Sequence, residues 1–462
     1  MSGYVEQQGI DAIPEEQRYG KSSGLFFVWA GTTTNIFTLT YGAMLIIVFQ
    51  LSFFQAFAAI LVGNLLAYPL LGLTSLQGPR TGTTSITISR ASFGFAGAQV
   101  NAFLSWLMLI GFEAGGLILI YYAASGFLGG VGITTGKIAG IILILLLGAI
   151  QALLPFFGHR LLMAAQKYAT GIFVVLFIAL AFAIIPQTRV GASTAHFSIF
   201  SFISAVSLVM VSGGLSYAPS GANFSRYLPG ASSSRGVFGW ATLGGLLPYV
   251  LLQTLGAALA TITVSGDVDV TNPLALPSVL PKAFVLPFYL LVVVGLMIQN
   301  STNLYSSSLN LQTAGINARR WLIVLTDSLI AIIITIIAVQ QEGFYDLLNI
   351  FLSSLSIWLA PWVAINLVDY ALRRGSYRLS DFITTKGASA TFNIGGCASL
   401  FIGMVAAYLF SNSGRFVGPI TALLSPENTA FAPDLSVIAG ALTAAILYII
   451  TNGKQIRTTQ NA

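Results

Sequence analysis

Only two of the 14 acidic residues, Glu113 and Asp327, fall clearly inside apolar runs, and Glu113 lies near the centre of its run. A carboxylate placed in hydrocarbon costs a few kcal/mol, so a functional site is the default reading for Glu113, against a structural pairing with a neighbouring helix. Asp327 lies nearer the end of its run, two turns beyond Arg319 and Arg320, and reads as structural. A second group runs from Gln299 to Ser308 and holds one aliphatic residue, Leu304. Asn300 and Asn303, at i and i+3, share a helix face there. Each amide offers donors and an acceptor, which suits the mixed edge of a planar heterocycle; a hydrated helix end is the competing reading. Phe112 and Tyr217 stand beside Glu113 and a glycine-rich break respectively. Flat aromatic walls of this kind sandwich a ring, although in a chain with 12% aromatics each also reads as ordinary packing.

Other chemistry has no visible machinery. The chain has one cysteine, Cys397, and two separated histidines, His159 and His196, so neither a disulfide nor a zinc or haem site is expected. No phosphate-cradling loop or nucleophile elbow occurs, and Glu113 has no evident acid–base partner. No enzyme activity and no cofactor beyond a coupling ion are expected.

The elements that position these residues are membrane spans. Charged residues make up 7% of the 462 and hydrophobic residues 56%, with a mean hydropathy of +0.85; a soluble chain carries about 25% charged residues. Apolar runs of roughly the 20 residues that cross a bilayer recur throughout. They predict twelve spans near 23–49, 54–76, 98–127, 137–156, 160–185, 198–222, 237–263, 283–308, 321–339, 345–370, 392–411 and 433–451. The first follows a polar head with no cleavage site, so it reads as a retained span. With the N-terminus in the cytoplasm, fifteen of the 20 lysines and arginines, Arg378 and Lys386 among them, fall on inner segments. Four fall outside (Lys137, Arg189, Lys282, Arg415) and Lys167 lies within a span. That bias predicts a multi-pass protein of the cell membrane with both termini cytoplasmic. The net charge of +6 is topological, not a nucleic-acid surface, and no obligate protein partner is evident.

Two spans have weak helical centres. The first reads Trp29-Ala30-Gly31-Thr32-Thr33-Thr34-Asn35 and the sixth Ser212-Gly213-Gly214-Leu215-Ser216-Tyr217-Ala218-Pro219. Unwound backbone at membrane depth is tolerated only where it is buried or lines a cavity. The two lie five spans apart and so enter from opposite sides, the arrangement of an inverted repeat with its site between broken helices. The expected organisation is a tail over 1–22, a ten-helix core over 23–370 (repeats 23–185 and 198–370), a loop with two peripheral spans over 371–451, and a tail over 452–462. Breaks are expected near Gly31 and Gly213. The competing account of either break is a glycine that only eases packing.

Four stretches together resemble the nucleobase:cation symporter-1 family, in its purine–cytosine permease branch. They are Gly63-Asn64-Leu65-Leu66 with Gly78-Pro79-Arg80-Thr81-Gly82 and Ser89-Arg90-Ala91-Ser92-Phe93-Gly94; Tyr217-Ala218-Pro219 with Asn223-Phe224-Ser225-Arg226-Tyr227-Leu228-Pro229; Asn303 to Leu309; and Ala360-Pro361-Trp362 with Asp369-Tyr370 and Arg373 to Tyr377. The resemblance implies a LeuT-type fold of ten core spans plus two, and cation-coupled uptake of a nucleobase or related heterocycle. It implies a stacking role for Phe112 and places Gly213 and Gly214 where many members carry a second aromatic. Gly116 stands where some members have an amide, and Ile298 and Gln299 where sodium-dependent members have hydroxyl pairs. These departures shift the expected coupling ion from sodium to a proton carried by Glu113, with Gly31 and Asn35 the alternative sodium site. Substrate-contact candidates are therefore Phe112, Glu113, Gly116, Gly213, Gly214, Tyr217, Asn300 and Asn303. A purine or cytosine is the expected solute; allantoin, hydantoin, thiamine and pyridoxine-like solutes, sodium coupling, uncoupled transport and a membrane substrate sensor remain open.

Overall fold

The computed structural model describes residues 6–191, 198–263, 270–271, 275–341, 344–377, 392–412, 416–425 and 432–461. Of the residues weighed above, His196, Arg378, Lys386 and Arg415 lie outside these.

The described backbone is helical apart from turns and one isolated bridge, Asn412 with Val417. The first span divides into α1 (Gly24–Thr33) and α2 (Ile36–Ile47), followed by α3 (Phe53–Ser75), α4 (Arg90–Gly130), α5 (Lys137–Phe157) and α6 (His159–Ile184). The second half begins with α7 (Ile199–Ser212) and the short α8 (Gly214–Tyr217). It continues through α9 (Ser234–Thr263), α10 (Lys282–Thr313), α11 (Arg320–Ala338) and α12 (Phe344–Leu372). α13 (Ile394–Leu409) and α14 (Ser436–Asn461) complete the chain, and α14 runs through 452–461 without a break. Nine helices among the described residues are long and apolar enough to cross a membrane. The shorter apolar helices Gly24–Thr33 with Ile36–Ile47, Ile357–Leu372 and Ile394–Leu409 take the places expected of the first, tenth and eleventh spans.

The core is a seam of long helices. α4 and α10 pack along one another, α9 runs beside α2 and α3, and α13 and α14 pair with each other and with α12 at one side. Lipid-type exposure is concentrated on the outer helices, where Ile138, Tyr168, Phe182 and Ile394 are each more than 70% exposed.

The first break lies at Thr34–Asn35, not at Gly31. Asn35 is extended and its side chain serves both helix ends: Nδ2 donates to the Thr32 carbonyl at 2.9 Å, while Oδ1 accepts from the amides of Phe37 and Thr38. One amide thereby satisfies groups that a broken helix would leave orphaned in a buried position. Thr38 Oγ1 adds a 2.6 Å bond to the Thr33 carbonyl. Gly31 is helical, and its missing side chain serves the packing of α6: a Cβ there would sit 2.0 Å from Gln166 Oε1. Glycine frequency misplaced the break by about one turn, since capping side chains and not helix propensity fix where the chain unwinds. The second break falls at Gly213, as expected. Tyr249 donates its hydroxyl to the Ser212 carbonyl there, and Gly214 lies so close to the α3 backbone that a Cβ would meet the Ala67 carbonyl carbon at 2.4 Å.

Candidate functional site

Both breaks face one small central cavity of about 20 Å³, walled by α1, α2, α4, α7, α8, α9 and α10. Seven aromatic residues line it, among them Trp29, Phe112, Tyr217 and Phe224. The Trp29 ring lies 5.8 Å from that of Tyr217 and 5.4 Å from that of Phe224, centroid to centroid. α10 supplies the polar edge through Gln299 and Asn303, at i and i+4. Gln299 Nε2 donates to the Tyr217 hydroxyl at 3.3 Å. Gln299 Oε1, Asn303 Nδ2, Ser306 Oγ and Trp29 Nε1 are buried with no partner among the described residues. Buried polar groups in native proteins are nearly always satisfied, so orphaned donors and an acceptor in one cavity wall mark where a polar molecule makes contact. The side chains fill this space, and a ring enters only as the walls part.

The expected site residues divide into two groups. Phe112, Tyr217, Asn303 and Asn35 line the cavity. Glu113, Gly116 and Asn300 lie one residue or one turn behind it, in a separate buried cluster between α4, α5 and α10. Asn300 Nδ2 donates to the Glu113 carbonyl at 2.9 Å and to Gln151 Oε1 at 3.0 Å; Gln151 Nε2 reaches Glu113 Oε1 at 3.4 Å. Gly116 permits this approach, since a Cβ would stand 2.6 Å from Asn300 Oδ1. Glu113 Oε2 and Asn300 Oδ1 have no partner among the described residues. Gly213 and Gly214 act at the break itself, and Gly31 packs on α6 outside the cavity. Asp327 is held by Ser307 Oγ at 2.6 Å and Trp106 Nε1 at 3.0 Å, tying α11 to α10 and α4.

The sodium alternative uses backbone carbonyls around Gly31 and Asn35 together with oxygens of α10. Four carbonyls at the break already accept from side chains: Trp29 from Thr33, Ala30 from Thr34, Thr32 from Asn35 and Thr33 from Thr38. The nearest cross-helix hydroxyl pair, Thr32 and Thr302, meets at 3.4 Å. Among the described residues no group of three or more His, Cys, Asp or Glu side chains is gathered to hold a metal.

Sequence reasoning missed one cluster, at the end of the bundle where α1 begins. Glu6, in the segment read only as a tail, packs its largely covered carboxylate against α6, α10 and α11. Its Oε1 accepts from Arg226 at 3.1 Å, the Tyr227 hydroxyl at 2.6 Å and the Tyr305 hydroxyl at 2.9 Å. Its Oε2 accepts from the His159 amide at 2.7 Å and lies 3.7 Å from Arg320. Burial raises the Glu6 pKa, but Arg320, Arg226, His159 and Tyr227 outweigh it and hold the carboxyl below its ordinary value. The tail is fixed further along by Ile13 on Gly82 and by Tyr19 on Tyr227, through backbone bonds of 3.0 and 2.6 Å. The signal available in the sequence was Arg226 itself, an arginine directly after a break-bearing span with no acid nearby in the chain.

A bundle with two interrupted helices meeting at a buried aromatic and amide-lined cavity is the architecture of a secondary transporter. The comparisons with known proteins then place it: the chain belongs to the family of permeases for cytosine/purines, uracil, thiamine and allantoin, whose model matches residues 12–426. This is the nucleobase:cation symporter-1 family, in its purine–cytosine permease branch. The chain is 28% identical to a putative purine-cytosine permease of Bacillus subtilis, YxlA, over 96% of this chain and 95% of that one. It is 27% identical to the purine-cytosine permease fcyB of Emericella nidulans, over 98% and 89%. Its fold is that of Mhp1, a nucleobase-cation-symport-1 family transporter. It matches the closed conformation with bromovinylhydantoin bound at a TM-score of 0.77 and 18% identity, covering 98% of this chain and 96% of that one. The inward-facing conformation of Mhp1 matches at 0.70 and 16%, with the same coverage. The fold is thus the LeuT type, all-α and multi-pass, and the protein is a membrane permease for a small solute.

Proposed function

We propose that the protein imports a purine or cytosine across the cell membrane by proton symport, with both termini in the cytoplasm. The observation that carries the reading is the cavity wall, where aromatic faces flank buried amide, indole and hydroxyl groups without partners. A nucleobase presents a flat π-face and an edge of alternating donors and acceptors, which complements Phe112 and Trp29 on one side and Gln299 and Asn303 on the other. The naming of the relatives as purine-cytosine permeases supports the same solute class.

Proton coupling is favoured over sodium by the position of Glu113. It stands directly behind Phe112 on α4, and its partner Asn300 directly behind Gln299 on α10. A proton gained or lost on the Glu113 carboxyl redirects its bond with Gln151, whose Oε1 in turn accepts from Asn300 Nδ2. That rearrangement acts on both helices that carry the cavity wall. Counterflow into proteoliposomes against a panel of radiolabelled adenine, guanine, hypoxanthine, cytosine, uracil, allantoin, hydantoin, thiamine and pyridoxine tests the reading. Exchange of a purine or cytosine at the lowest half-saturating concentration is expected, and exclusive exchange of a non-nucleobase would overturn it.

A further inference from the structure

A second cavity, of about 350 Å³, opens beside the tail between the start of α1 and the start of α6. Lys21, Arg160 and Lys167 line it. None of the three takes part in any of the ion pairs found among the described residues. Two rest on aromatic faces, Arg160 4.9 Å over the Tyr19 ring and Lys167 5.9 Å over Phe27, and all three are exposed. We propose that this cavity is a headgroup site for one anionic phospholipid, with Lys21, Arg160 and Lys167 holding its phosphate.

Depth and direction choose the lipid over a water-borne phosphate. Arg160 and Lys167 are seven residues apart, so they lie on one face of α6 and roughly 10 Å apart along its axis. The neighbouring outward residues are apolar and exposed, Leu161 at 43%, Tyr168 at 74% and Ile172 at 55%, which marks this side of α6 as lipid-facing. Lys167 is therefore an ammonium more than a turn inside a lipid-facing helix, where a cation without a counter-charge is costly. Long stems carry such heads toward the interface, and a phosphodiester at the glycerol level meets all three. The cavity is also bounded by His159 and Tyr227, the residues that bind Glu6, so the headgroup rests against the docked tail.

Native mass spectrometry of the full-length protein in non-ionic detergent tests this, titrating phosphatidylglycerol against phosphatidylcholine of the same acyl chains. Wild type is expected to retain one phosphatidylglycerol at concentrations where phosphatidylcholine is lost. Affinity should fall roughly fivefold for each charge removed, in Lys21→Gln and further in Arg160→Gln/Lys167→Gln. An unchanged melting temperature in phosphatidylcholine micelles controls for folding; if the double variant fails it, Lys21→Gln, which lies outside the spans, decides alone. Equal retention of the two lipids, or wild-type retention by the variants, overturns the proposal. Displacement by inorganic phosphate or glycerol phosphate at concentrations equal to the lipid also overturns it and assigns the site to a soluble phosphate.

Discussion

At the scale of single residues, Asn303 and Glu113 do different work although both sit near the midplane. Asn303 lines the cavity with an unpartnered Nδ2, so Asn303→Ala removes a contact to the solute and leaves its partner atom unpaired. A loss of about 1–3 kcal/mol follows, roughly tenfold to a hundredfold in solute affinity. Equilibrium binding of the purified variant checks it, and wild-type affinity would reduce the α10 edge to packing. Glu113 lies behind the wall and is expected to govern coupling while leaving recognition alone. Glu113→Gln keeps a side-chain acceptor for Gln151 and leaves the main-chain carbonyl that Asn300 engages untouched, but it cannot cycle a proton. Proteoliposomes carrying it should exchange solute across the membrane yet fail to concentrate it under an inward pH gradient. Normal accumulation by this variant, or accumulation by wild type under a sodium gradient alone, would make Glu113 structural.

At the scale of elements, the two interrupted helices decide what the cavity is made of, and Asn35 holds the first of them together. Asn35→Ala removes an N-cap, worth about 0.5–2 kcal/mol. It also leaves the Thr32 carbonyl short of a buried partner, about 1–3 kcal/mol more. Asn35→Ser retains an acceptor for the α2 amides but cannot reach the Thr32 carbonyl as a donor. Melting temperatures in detergent should therefore rank wild type, then Ser, then Ala. Equal values for Ser and Ala would mean that the cap adds nothing and that packing alone sets the break. The same element shows how far the sequence is legible. The span positions follow from hydropathy because lipid enforces a continuous apolar run. The existence of two breaks five spans apart follows from runs of poor helix formers. The position of the first break does not, because Gly31 answers to the nearby Gln166 side chain and the unwinding answers to a cap four residues later. For the same reason the i, i+3 pairing of Asn300 with Asn303 misled about the cavity edge: the face that meets it is Gln299 and Asn303, at i and i+4, while Asn300 is turned toward α4 and α5.

At the scale of the whole molecule, the tail closes one end of the bundle over the site. Glu6 joins Arg226 after the broken sixth span, Tyr305 on α10, Arg320 at the start of α11 and His159 at the start of α6, so it ties the two halves of the fold together. Any opening of this end of the bundle separates these elements, and the carboxylate then leaves two buried guanidinium groups. Its removal by mutation is correspondingly large, since breaking a buried pair costs about 3–5 kcal/mol, most of it from the charge left behind. Glu6→Gln should therefore shift the population by roughly a hundredfold to a few thousandfold toward a released tail. The pH dependence has a definite sign. Because the folded Glu6 pKa lies below its ordinary value of 4.5, the closure it provides is fully present above that value and is lost as pH falls through the lower, folded value. Spin labels on Gln7→Cys and Arg235→Cys, placed in a Cys397→Ser background so that no other thiol competes, report the tail directly by electron spin distance measurement. One narrow distance is expected for the otherwise native chain from pH 7 down to about pH 5, broadening only in stronger acid, whereas the Glu6→Gln chain should be broad throughout. A narrow, unchanged distance in the Glu6→Gln chain at pH 7 would show that Ile13 and Tyr19 dock the tail without the ion pair, and the closing role would pass from Glu6 to those contacts.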